Sequence, residues 1–150
     1  MARRRSLPCF CAVALAAAAC SSESPSVSGA DGGLAFPDAP LVTVTSDSGA
    51  LRLEVRTAPN QPPTRGNNVV VQYRITDTVT AAAMDGLNPS VVPWMPAMGH
   101  GASVVPTVTA AGNGIYVVTN LSLIMPGRWE LRTTLHAASE DHASPSLQVQ

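Results

Sequence analysis

The sequence predicts an all-β fold, one small β-sandwich carried behind an N-terminal signal segment and a flexible tether. Three observations predict it. Val, Thr and Ala are abundant, Pro and Gly recur throughout, and aromatic residues make up only 4% of the 150 residues. That mixture suits short strands and tight turns better than helices. Apolar residues alternate with polar ones at period two in several separate runs. Turn signals break the chain at short intervals between Leu51 and Leu135, and no stretch carries a convincing amphipathic-helix period.

In chain order, Arg3-Arg4-Arg5 forms a positive start and Leu7 to Ala19 is an uncharged, Ala-rich run. As a helix that run would span about 20 Å, against roughly 30 Å for the hydrocarbon core of a bilayer. A cleaved export signal over residues 1–19 therefore fits better than a transmembrane anchor. The run ends Ala17-Ala18-Ala19-Cys20-Ser21-Ser22. Small residues before a Cys resemble the lipobox of bacterial lipoproteins, in which the Cys is acylated and becomes the first residue. Ala17 stands where that pattern usually has Leu, and Ala17-Ala18-Ala19 also fits the A-x-A site of ordinary signal peptidase, so plain secretion is the second reading. Cys9 and Cys11 fall inside the signal, which leaves Cys20 alone in the mature chain. No internal disulfide is then possible, and the exported domain must rely on its core. Lipidation at Cys20 implies a membrane-anchored protein facing the periplasm or the cell exterior. Two or more acyl chains, at about 0.8 kcal/mol per buried methylene, make such an anchor stable.

Residues 20–40 are rich in Ser, Gly, Pro and Asp and read as a flexible tether. The folded domain is expected over residues 41–150. Leu51, Leu53 and Val55 share one face of a strand whose other face carries Arg52, Glu54 and Arg56. Val69, Val71, Tyr73 and Ile75 repeat the pattern, as do Trp129, Leu131 and Leu135. Roughly seven short strands so spaced imply a sandwich that is immunoglobulin-like in general architecture. The stretch after Leu135 reads as polar loop, with His136 and His142 solvated.

One hairpin can be placed in register. A two-residue loop at Gly112-Asn113 sets Ile115 opposite Ala110, Val117 opposite Val108 and Leu121 opposite Val104. Extended to its far end, the ladder sets Met125 opposite His100. A hairpin at Met125-Pro126-Gly127-Arg128 would put Trp129 and Leu131 out of phase with the preceding strand. The chain is therefore expected to cross between sheets there, or to carry a bulge.

Several function classes are excluded by composition and pattern. Charged residues are 13% of the chain and Lys is absent. From Cys20 onward six Arg stand against ten Asp and Glu, a net charge near −4 with no basic stripe, so no nucleic acid is expected as a partner. There is no G-x-S-x-G elbow, no spaced carboxylate pair and no Gly-rich phosphate cradle, so an enzyme is not expected.

Two segments remain that carry chemistry: Trp94-Met95-Pro96-Ala97-Met98-Gly99-His100-Gly101, and Leu123-Ile124-Met125-Pro126-Gly127-Arg128-Trp129-Glu130-Leu131, with Gly114-Ile115-Tyr116 between them. Over roughly Leu51 to Leu135 the chain resembles the YtkA-like domain family. These are small exported β-sandwich domains related to the FixH-type domain, often lipoproteins or parts of envelope metal-handling proteins. The resemblance implies the fold more strongly than any activity. Read for chemistry, Met95, Met98 and His100 hold two thioethers and an imidazole within six residues, and the ladder adds Met125. Soft S and N donors suit Cu(I) where thiolates are lacking. Trp94 beside them would shield the ion or make a cation–π contact. A ligating imidazole must be neutral, so binding should weaken below about pH 6. The expected role is capture or transfer of Cu(I), with a copper-handling protein as partner. The same residues also suit a structural or accessory envelope protein: Met fills cores, Pro-x-x-Gly makes loops, and His100 would bond a loop carbonyl. A surface for another partner is the third reading.

Overall fold

The computed structural model describes residues 35–150. The expected export signal of residues 1–19, the expected lipidation site Cys20 and the expected tether up to residue 34 lie outside the described residues.

Alternation in the sequence becomes two faces in the fold. One antiparallel sheet contains, in spatial order, β1 (Val42–Thr45), β2 (Leu51–Ala58), β3 (Gly66–Asp77), β7 (Ile115–Leu123) and β6 (Thr107–Gly112). The other runs β10 (Ser146–Val149), β8 (Gly127–His136), β4 (Ser90–Met95) and β5 (His100–Gly101), with β9 (Glu140–Ala143) also paired to β8. The described residues form no helix. Two antiparallel sheets packed face to face are the all-β sandwich expected from the sequence.

Leu51, Leu53 and Val55 are buried on β2, as are Val69, Val71, Tyr73 and Ile75 on β3 and Trp129, Leu131 and Leu135 on β8. Each fully buried side chain of this kind contributes about 1.5–3 kcal/mol of transfer free energy. Outward positions carry the charge: Glu54 lies 3.7, 3.2 and 3.8 Å from Arg52, Arg56 and Arg74. One polar contact joins the layers through the core, where the Tyr73 hydroxyl meets Thr133 Oγ1 at 3.1 Å. Burial pushes the Tyr73 phenol well above its ordinary pKa, against the smaller opposing effect of that hydrogen bond. The group stays neutral in the fold.

The step from β7 to β8 is a crossing between sheets, one of the two outcomes that the phase of Trp129 allowed. The β6–β7 register differs from the expected one by a residue: Ala110 faces Tyr116 and Val108 faces Val118. Two features cause the shift. The loop is Asn113-Gly114, both at positive φ (53° and 71°), and Ala111 bulges out of the ladder between Ala110 and Gly112. Tyr116 and Val118 therefore point inward in place of Ile115 and Val117. A second bulge around Asn120, at φ 59°, returns Leu121 and Leu123 to the core. Pairing stops at Thr107 with Thr119, so Val104 and Leu121 never meet across this ladder.

The C-terminal stretch is also more ordered than its polar composition implied. Strands β9 and β10 bury Ala143, Leu147 and Val149. Asp141 on β9 reaches the β1–β2 turn, accepting from the Ser48 hydroxyl at 2.6 Å and the Ser48 N–H at 3.1 Å. The end of the tether is pinned as well. Arg56 donates to the Asp38 carbonyl and Gln61 to that of Ala39, at 2.9 Å each.

Candidate functional site

Strand phase divides the Met/His motif. Inward positions on β4 are odd-numbered, so Met95 enters the core with 7% of its surface exposed. Its Cε lies 2.9 Å from where a Cβ on Gly127 would stand, which seats it under the start of β8. The chain then turns: the N–H groups of Met98 and Gly99 both donate to the Met95 carbonyl, at 3.1 and 3.0 Å. That turn leaves Met98 exposed at 58% and starts β5 at His100.

His100 pairs with Met95 and Gly101 with Trp94. Cross-strand partners share a face, so His100 lies on the Met95 side, at the rim of the sandwich. Trp94 takes the other face, where the Arg132 guanidinium sits 4.4 Å from its ring centroid. The cation–π contact thus forms with an Arg, and the indole lies on the opposite face of β4 from Met95.

His100 and Met125 do not meet across a β6–β7 ladder, which ends before reaching them. They nevertheless line one small depression, together with Ser103, Ser122, Ile124 and Trp129. Trp129 fixes its floor, with the indole N–H donating to the Met125 carbonyl at 2.9 Å. The tautomer of His100 follows from its partner. Its Nδ1 lies 3.1 Å from the Gly101 carbonyl. A carbonyl only accepts, so Nδ1 carries the proton and the lone pair of Nε2 is free in the neutral ring. That is the arrangement a ligating imidazole needs.

Met98 and His100 are therefore exposed, Met125 is half-buried against the core, Met95 lies in the core, and Trp94 takes the opposite face of β4 from Met95. Two features escaped the reading by motif. Gly86 to Gly127 contains no Asp, Glu, Lys or Arg, and Val92, Met98, Val104, Val105 and Ile124 are exposed within it. A charge count by segment would have revealed it. His136 and His142 are solvent-exposed as expected, but β9 gathers them around Glu140, at 3.4 and 3.5 Å.

A family model described as YtkA-like matches residues 47–134. No curated protein matches the chain. Among solved structures, the crystal structure of the Lin-41 filamin domain is similar at 12% identity, covering 77% of this chain and 98% of that one, with a TM-score of 0.43. So loose a likeness carries no argument.

Proposed function

The chain belongs to the YtkA-like family, and from that premise we propose that it is an exported envelope binding module, lipid-anchored through Cys20, that captures or transfers Cu(I). Met98, His100 and Met125 are its donors, with Met95 packed in the core. One observation carries the reading. His100 and Met125 line the same depression, Met98 is exposed two residues before His100 in the chain, and the His100 tautomer leaves Nε2 free. Two thioethers and an imidazole form a soft donor set suited to Cu(I). An uncharged surround favours a monovalent ion over more strongly hydrated cations, and a copper-handling protein is the partner this implies. A ligand bound only by the folded state raises stability, by about 2.7 kcal/mol at a hundredfold excess over Kd. Melting the domain with and without Cu(I) under reducing conditions tests this: a rise supports it, and an unchanged midpoint contradicts it. Labelling cells with a palmitate analogue and determining the mature mass tests the anchor.

A second reading rests on its own observation. Met95 is a core residue and the His100 ring is held by the carbonyl of its β5 neighbour Gly101, as would suit a structural or accessory envelope protein. It predicts that His100→Ala lowers the melting temperature and leaves copper retention untouched.

A further inference from the structure

We infer that His136, Glu140 and His142 form a second metal site, for a divalent cation of the zinc class, on the outer face of the β8–β9 hairpin. It lies apart from the Met/His rim and uses none of its residues.

The hairpin register assembles the three side chains. His136 is directly opposite Glu140, and His142 lies two residues further along β9, opposite Thr134. Residues two apart on a strand share a face, so all three project outward together. The two carboxylate oxygens are divided between the rings: Oε2 lies 3.4 Å from His136 Nδ1 and Oε1 lies 3.5 Å from His142 Nε2. Donor atoms about 2.1 Å from a tetrahedral zinc ion stand about 3.4 Å apart, so both separations match that spacing.

The remaining ring nitrogens also have partners. His136 Nε2 lies 3.5 Å from the Ser90 hydroxyl, and His142 Nδ1 lies 3.3 Å from that of Thr134. A hydroxyl can donate or accept, so each ring can present either N–H or a lone pair to Glu140. With a lone pair presented, imidazole and carboxylate repel unless a cation lies between them. Metal-bound histidines commonly have their second nitrogen held in this way. Two imidazoles and one carboxylate suit zinc and its borderline neighbours, and water would complete the shell.

No three His, Cys, Asp or Glu side chains among the described residues surround a ready ion position as they stand. Here the carboxylate itself fills the gap between the rings. Glu140 is exposed, with 58% of its side chain accessible, so it can swing aside without disturbing the core.

The test is a calorimetric titration of the full chain with zinc chloride alone, followed by ring-proton NMR of the three histidines. The inference expects one zinc equivalent, shifted signals from His136 and His142, and at least tenfold weaker binding in Glu140→Gln and in His142→Ala. Because all three sites are exposed, the metal-free variants should melt near the wild type, which separates lost binding from lost folding. Met98→Leu with His100→Ala should leave zinc binding intact, so the two sites can fail independently. Unchanged zinc affinity in the His136→Ala, His142→Ala double variant, or a zinc response confined to His100, would overturn the inference.

Discussion

Replacing Met95 by Ala probes the division of the motif directly, because it asks whether this thioether is part of the core. The substitution removes Cγ, Sδ and Cε from a side chain that is 7% exposed and packed beneath Gly127. Three methylene-sized groups at about 0.8 kcal/mol each give a transfer loss of about 2.4 kcal/mol. A residual cavity adds to that. Its position at the end of the sandwich lets the β4–β5 turn settle inward, which holds the total to about 3 kcal/mol, in the lower half of the range for such truncations. At about 4 °C per kcal/mol for a domain of this size, the midpoint should fall by about 12 °C. Urea unfolding followed by circular dichroism, without metal, should give a lower midpoint at unchanged slope. Met95→Leu keeps the volume and should cost less than about 1.5 kcal/mol. A loss below about 1 kcal/mol for the Ala variant would refute the reasoning, since a rim thioether would leave the apo domain little changed.

Three further outcomes follow from the same geometry. Tyr73→Phe deletes the hydroxyl that bridges the sheets, but Thr133 Oγ1 keeps its 3.0 Å bond to the Leu131 carbonyl, so urea unfolding should register a loss of about 1 kcal/mol; a neutral result contradicts the bridge. Gly114→Ala should lose more than about 3 kcal/mol, because a Cβ there meets the Ile75 carbonyl at φ 71°, whereas Gly112→Ala has open space at φ 80° and should lose only about 1–2; equal losses in thermal melts would count against the close approach. For Asp141, burial pushes the carboxyl up, but hydrogen bonds from the Ser46 and Ser48 hydroxyls and from the N–H groups of Ser48 and His142 outweigh it and hold the pKa at about 2. A depressed pKa stabilises the fold above the unfolded value of about 3.9 and loses that contribution as pH falls toward 2. Melts between pH 2 and 7 should therefore show a shallower acid slope in Asp141→Asn, and an identical slope contradicts the assignment.

Much of the fold was legible because most strands bury one face. Leu51, Leu53 and Val55 opposite three charges admit only one orientation, and the phase of Trp129 narrowed the β7–β8 step to a change of sheet or a bulge. The bulges at Ala111 and Asn120 were not legible. Each adds one residue through a local positive-φ turn or kink, without altering the apolar pattern that reveals a strand. Strands β9 and β10 were missed because four-residue segments hold too few apolar positions to set a period. The same length limit hid the His136–Glu140–His142 grouping, which exists only once β9 pairs with β8. At the rim, the motif itself was visible, but its division was not. Met95 is assigned by the phase of β4, and His100 by pairing with β4 rather than by extension of the β6–β7 ladder.

The proposed copper site holds Cu(I) through Met98, His100 and Met125. Competition titration of Cu(I) against a chromogenic chelator, comparing the wild type with the Met98→Leu, His100→Ala double variant, measures its affinity. Affinity should be at least a hundredfold lower in the double variant, with its metal-free melting temperature little changed. Affinity that is the same in both would contradict it.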